Sequence, residues 1–527
     1  MTARKIALLV MIVGFAATVE TAFHVRGDVN IGPEGCRVMG GRFYGPSWAF
    51  EAAAERAVAG GKAPRLEVEN AFGKVSVVAG DSGTVKVRLR KVVFRPTEEK
   101  ARAFAERIEL RLTGDAERVR VGTNRDALGR REPIGFETHF EIEAPPESVV
   151  KIRNEHGRVE LSGVAAADVA ASFEGVSIER VAGMVMLEAR HGDVSIDGIG
   201  GALELNARHG SVSVSGVTGA STLDVRHGNV EVLRSAGLEL ELTHGELEAE
   251  GIGGDLVVRG QHARVRGFDV LGRAHVETTH GDVRLERVGG DLEARVQHGG
   301  VAASDVSGAV SIESTHDGVT LERVAGPVEA VVQHGGVGAS GLARGARIRV
   351  SGSDVTLDGF SGPIALEVNR GSARLAPGIP LDAEIVARAT HGEVQLEVPE
   401  GSRFELEAES ARGRVDAPLE GLTAEDEGRR GQRASGRHGG GGVSVRLKAD
   451  GDVTLESRPA RSRVGWAVAR PRAGERPTAE APAVAASPAP KPTPRPTPTP
   501  TPTSPAEAPA ATPRPPQATP DGTNSKR

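Results

Sequence analysis

Between residues 156 and 391 short runs of alternating apolar and polar residues recur every 18 positions. A histidine marks one register of the repeat. His191, His209, His227, His244, His262, His280, His298, His316 and His334 follow one another at steps of 18, with a single step of 17. Three and five positions beyond the histidine stand apolar pairs such as Val194 and Ile196, Val212 and Val214, or Val283 and Leu285. Eight beyond comes a third apolar residue (Ile199, Val217, Val288) and ten beyond a glycine (Gly201, Gly219, Gly290). A second alternating run follows, such as Leu203, Leu205 and Ala207. Period-two alternation is the mark of a strand with one buried face. Each unit therefore predicts a strand, an apolar corner, a glycine turn, a second strand and a turn at the histidine. The frame extends back through Phe173 to His156 and forward through Gly352 and Arg370 to His391.

An 18-residue unit with two short strands cannot bury its own apolar face, whereas stacked copies can. The predicted fold is all-β: a parallel β-solenoid (β-helix) of 18-residue rungs, with about 13 rungs reaching about 60 Å at ~4.8 Å per rung. A propeller would need blades of about 40 residues and four strands. The six-residue signature of a left-handed hexapeptide helix is absent, and handedness stays open. A 36-residue period lies over the shorter one: "THGDVRLERVGGDLEARVQHGG" from residue 279 resembles "THDGVTLERVAGPVEAVVQHGG" from residue 315. Duplication thus accounts for part of the histidine uniformity.

The flanks divide the rest. Arg4 and Lys5 precede "IALLVMIVGFAATV" (residues 6–19), which is shorter than the ~20 residues of a spanning helix and fits the apolar region of a signal peptide. Residues 1–22 are read as a signal peptide or, since Glu20 spoils the break after Ala22, an uncleaved anchor. Residues 23–63 form an exported N-terminal segment, and 64–150 a small α/β cap of first strands and one helix. The helix is "TEEKARAFAERIEL" (97–110), with Thr97 as its cap, expected to cover the open end of the solenoid. Repeats fill 151–400. Terminal rungs fill 401–458 and include a flexible Gly-rich loop, "GRRGQRASGRHGGGG" (428–442). Residues 459–527 form a proline-rich disordered tail.

Composition agrees with many short strands: aromatics make up 3% of the chain, and there are 69 glycines. A net charge of -6 over 527 residues gives no basis for nucleic-acid binding. Cys36 is the one cysteine, so no intrachain disulfide forms. It sits in "GPEGCRV", without the apolar and small residues that precede a lipidated cysteine.

Three segments carry a family resemblance: "LEVENAFGKVSV" (66–77), "FEIEAPPESVVKIRNEHGRVELSGV" (140–164) and "GGVSVRLKADGDVTLES" (441–457). Over about residues 64–457 the chain resembles the bacterial "putative adhesin" family, a β-strand-repeat domain of unknown function. The likeness lies in pattern, not in a catalytic signature. It implies an exported protein of the periplasm or cell surface, adhesin-like or scaffolding in role. Its partners would be an envelope protein, the cell wall or a surface glycan. Membrane contact would run through the N-terminal segment alone, and self-association stays open. This chain departs from the family in carrying His-Gly where such rungs often have Asn-Gly.

The histidines admit two readings. A corner between strands suits residues that accept positive φ, His among them. The same slot holds Phe72-Gly73, Phe173-Glu174-Gly175 and Asp450-Gly451 elsewhere, so imidazole is not required. Alternatively, adjacent rungs could share Zn²⁺ through His191, His209, His227, His244, His280 and His298, with Asp193, Glu246 or Asp282 completing the shell. A ladder, however, offers no defined set of four ligands, and no cofactor is expected. Closely stacked imidazolium groups would also repel, which makes the column a candidate pH sensor. A polysaccharide-active β-helix enzyme would need paired carboxylates about 5 to 9.5 Å apart. Asp197, Glu286 and Glu322 fall at outward positions among Arg287 and Arg323 and read as a solvated face. No catalytic residue is assigned, and the chain is read as non-enzymatic. Tyr44, Trp48 and Trp466 lie outside the rungs, so aromatic platforms for sugars are nearly absent.

Overall fold

The computed structural model describes residues 46–58, 64–81, 83–128, 135–426 and 431–459, with the backbone of the short strands Asn30–Ile31, Cys36–Met39 and Arg42–Tyr44. The N-terminal apolar run and the tail beyond residue 459 lie outside the described residues. Among the described residues no helix is long and apolar enough to cross a membrane.

Period-two alternation produces strands as expected, and they join one 38-stranded sheet that winds as a parallel solenoid. Fourteen coils, from residues 149–162 to 385–399, stack in chain order. Each contributes a short face, as in Val194–Ile199, and a long face, as in Leu203–His209. Successive coils pair in register, Val194 with Val212 and His191 with His209. Inside one coil Val194, Ile196, Ile199, Leu203, Leu205 and Ala207 are all buried, and the equivalent six positions of neighbouring coils form continuous apolar columns. Burying each Val, Leu or Ile contributes about 1.5–3 kcal/mol. The 17-residue step is absorbed in a turn: His227 still pairs with His244, while the register shifts between Val217 and Ala220. At the glycine turn the backbones of adjacent coils touch. A Cβ on Gly326 would lie 2.1 Å from the Gly308 carbonyl oxygen.

Both ends of the stack depart from chain order, and in the same way. Residues 65–79, the first coil in sequence, lie between residues 149–162 and a pair of strands from 118–121 and 140–144. Residues 443–458, the last coil, lie between 385–399 and 404–416. Each terminal coil is therefore clamped on two sides, and the outermost layer is formed by chain that leaves and returns. Beyond it antiparallel strands end the ladder: Ser47–Ala57 and Leu110–Gly114 at one end, Leu422–Asp426 and Gln432–His438 at the other. Capping of this kind hides the edges of a repeat array.

Two local readings change. The helix Glu98–Arg107 forms with Thr97 as its N-cap, but its Ala101, Phe104 and Ala105 pack on Val93 and Phe136 in a separate core with Trp48 and Phe50. It covers a face of the antiparallel cap rather than the mouth of the solenoid. The Lys91 ammonium, held below its usual value by burial, donates to the Ala105 and Ile108 carbonyls at that helix's C-terminus. The segment read as a Gly-rich loop supplies the strand Gln432–His438, because Ala434 turns inward against Ala408 and Ala424.

Candidate functional site

His156, His191, His209, His227, His280 and His298 close long-face strands, His262, His316 and His334 stand just beyond the ends of theirs, and His244 lies within the continuous strand Val230–Ile252. The chain turns sharply just after the histidine. Gly192, Gly210 and Gly228 take φ of +117°, +128° and +155°, values that favour glycine. Where alanine follows instead, at Ala263, His262 itself adopts φ +74°. Corner stacks on corner, so the corner side chains align. Phe72, His156, Phe173, His191, His209, His227, His244, His262, His280, His298, His316 and His334 form an unbroken column of rings. Neighbouring centroids are 4.1 to 5.4 Å apart, and the planes are inclined by at most 27°. The histidines point outward: His191, His209, His227, His244, His262, His280, His316 and His334 are exposed. A cation closes one end, for the Arg125 guanidinium stands 5.2 Å from the Phe72 ring and 3.8 Å from the Phe136 ring. Burial pushes Arg125 down to about 10 against the pull of Glu137, Glu155 and Asp126.

Two outward columns obey a different rule. Position n faces position n+18, so like charges would meet one strand spacing apart, which is unfavourable. Along the long face Glu241, Arg259, Glu277, Arg295 and Glu313 alternate in sign. Arg295 reaches Glu277 at 2.9 Å and Glu313 at 3.7 Å. At the third corner of each coil, the apolar one, Asp269, Arg287, Asp305 and Arg323 stand one residue before Val270, Val288, Val306 and Val324 and alternate too, all with positive φ. Arg287 forks Asp269 at 2.5 and 3.0 Å, and Arg323 forks Asp305 at 2.8 and 2.9 Å. Sign alternation every 18 residues is a 36-residue period, which gives the longer repeat in the sequence a physical basis. The same rule allows one residue type at every rung only where that residue is neutral. Imidazole satisfies it, and two rings show the expected bias. Partial desolvation, then charge on His191 and His227 and on Arg208, holds His209 below its ordinary value. Desolvation and then His262 and His298 do the same to His280.

The six zinc candidates, His191, His209, His227, His244, His280 and His298, all lie in this column. Face-to-face stacking keeps their nitrogen lone pairs in parallel planes with centroids 5.0 Å apart at His191 and His209. Two nitrogens on one zinc lie at most about 4.2 Å apart, given bonds of ~2.1 Å. Sharing an ion would therefore require rings to rotate out of the stack. The carboxylates are engaged elsewhere: Asp193 accepts from Ser211 N–H at 2.9 Å and Asp282 from Gly300 N–H at 3.1 Å, while Glu246 pairs with Arg266. Among the described residues no three His, Cys, Asp or Glu converge on a metal position.

The acids weighed for hydrolysis stand apart on the short face. Asp197 accepts from the Ser215 hydroxyl, Glu286 pairs with Arg284 at 2.9 Å, and Glu322 pairs with Arg323 at 3.1 Å. Ser304 occupies the rung between Glu286 and Glu322. The concavities are open troughs on the sheet faces. One of about 550 Å³ runs beside the histidine column over Thr243, Gln261, Thr279, Gln297 and Thr315. One of about 960 Å³ lies at the N-terminal end, between Glu67, Arg120, Arg153 and Arg190. Sequence reasoning located the histidine frame but not Arg125, which lies outside the repeat. The alternating columns were legible as pairs 18 residues apart.

No family model matches the chain, and no curated protein is a significant match. Two solved structures are similar at low level. One is described as "a putative cell adhesion protein" from Clostridium sporogenes: 8% identity over 78% of this chain and 100% of that one, TM-score 0.19. The other is a "putative adhesin" from Parabacteroides distasonis: 10% identity over 60% of this chain and 96% of that one, TM-score 0.15. Neither similarity supports a statement about what this chain does.

Proposed function

We propose that the chain is a non-enzymatic β-solenoid of a bacterial cell envelope that presents its long face as an adhesin-like or scaffolding surface. The observation that carries this reading is how the outward charges are used. Carboxylates along the stack are taken up by separate neighbours on the same or the adjacent coil, some by arginines, as in Glu277 with Arg295 and Asp305 with Arg323, and others by hydroxyl or backbone N–H groups, as in Asp197 and Asp193, so the coils offer an extended periodic surface. A glycosidase concentrates two carboxyl groups on a single bond. Here Asp197, Glu286 and Glu322 are each held by a different neighbour. Broad surfaces with satisfied charges suit contact with another extended surface, where shape and distributed polar contacts carry recognition.

The test is retention of isolated wall polysaccharide and of envelope proteins by the immobilised full-length chain. Retention that the soluble chain competes away supports the reading. Retention no greater than on a charge-matched matrix, or release of new reducing ends from the polysaccharide, overturns it.

A further inference from the structure

Like charges also meet singly, as at Arg266 and Arg284, but one column carries three in succession. Arg190, Arg208 and Arg226 precede the corner in three consecutive coils and stand in register. All three are exposed. Arg190 reaches Glu188 at 3.4 Å, whereas Arg208 and Arg226 have no carboxylate within ion-pair distance among the described residues. In the adjoining column Asp224 accepts from the Asn206 amide at 3.2 Å. Ser172 and Thr243 bound the column on the rungs before and after, and His191, His209 and His227 run alongside. The fold therefore holds three guanidinium groups one rung apart, at the spacing where the two alternating columns place opposite signs. Such an arrangement is unfavourable in the free protein. It becomes favourable once anions lie across it, because guanidinium forks bind carboxylate and phosphate oxygens through two parallel hydrogen bonds.

We propose that Arg190, Arg208 and Arg226 form a binding strip for a linear polyanion, one oxyanion group per rung. The rung step is set by the ring column beside the strip, 5.0 Å from His191 to His209 and from His209 to His227. A ligand with a single charge gains one fork, whereas a polymer with a comparable spacing of charges gains all three and the imidazole edges next to them. This deepens the surface reading above and rests on it for the exposure of the long face.

The test measures binding of fluorescently labelled polygalacturonate, inorganic polyphosphate and neutral dextran to the full-length chain over a salt series. Two double variants remove equal charge: Arg208→Gln with Arg226→Gln, and Arg259→Gln with Arg295→Gln from the alternating column. The strip variant is expected to lose about tenfold or more in affinity for the bound polyanion, and the control to stay within about threefold of wild type. The strip variant should also melt no lower than wild type, since it removes a like-charge stack, which separates lost binding from lost folding. Binding of polygalacturonate alone identifies carboxylate as the ligand chemistry, and binding of polyphosphate alone identifies phosphate. Neither polyanion exceeding dextran, or equal losses in the two variants, overturns the proposal. Competed retention of envelope material by the strip variant would leave the surface reading standing while the strip fails.

Discussion

Arg287 is the place to test sign alternation, because it lies between Asp269 and Asp305 at the third corner. Its side chain is 33% exposed and that of Asp269 is 14% exposed, so the pair is partly shielded from water. A charge-assisted hydrogen bond contributes about 1.5–3 kcal/mol, reduced to about 1–2 kcal/mol here for the exposure of the arginine. The backbone at Arg287 has φ +58°, which costs a side chain with a Cβ about 1 kcal/mol. Arg287→Gly relieves that strain as it loses the fork, and should leave local stability within about 1 kcal/mol of wild type. Arg287→Asp tolerates the φ, loses the fork and sets three carboxylates in consecutive rungs, for a net loss of about 2–3 kcal/mol. Because a solenoid unfolds as an array of coupled neighbours, the readout must be local. Amide hydrogen exchange in Val283–Val288 and Val301–Val306 should be about tenfold or more faster in Arg287→Asp than in Arg287→Gly at low salt. Equal exchange in the two variants would refute the claim that alternation stabilises the stack.

Three further expectations follow from the same geometry. His209 and His280 titrate below their ordinary value in the folded chain, so the unfolded chain binds more protons and stability rises with pH; their contribution is complete above the unfolded value near ~6.5 and is lost as pH falls toward the folded ones. Calorimetric melts should thus be lower at about pH 5 than at about pH 7.5, by less when His209, His244, His280 and His316 are replaced by Asn; melts that coincide at the two pH values would exclude the effect. Gly228→Ala puts a Cβ 2.0 Å from the Gly210 carbonyl oxygen at φ +155°, and a loss of about 3 kcal/mol or more is expected by denaturant titration; a cost under about 1 kcal/mol would mean that the corner yields easily. Ending the chain at residue 442 removes the coil that lies between 385–399 and 404–416, and should turn a monodisperse peak in size-exclusion chromatography into aggregate, whereas ending it at 459 should not; identical elution of the two chains would contradict the clamped end.

How much of this was legible from residues alone depends on distance along the chain. The coil was readable because its cause is local: Val194, Ile196 and Ile199 alternate within one strand and corner, and Leu203, Leu205 and Ala207 within the next. The 18-residue spacing then names the partner of each outward residue, so Glu277 opposite Arg295 follows from counting. Orientation of the histidines did not follow, because a corner residue stands where period-two alternation ends and the left-handed glycine after it redirects the backbone. Nor did the clamped ends. Residues 66–77 and 441–457 look like the first and last rungs, yet each is the second layer from its end, since the capping chain between residues 84 and 144, or 404 and 438, folds over it. Arg125 meets Phe72 across 53 residues with no repeat to relate them. Inside the repeat one pairing choice, copied at every coil, settles the contacts. At the ends, loop closure and long-range packing choose among pairings that the local pattern leaves equivalent.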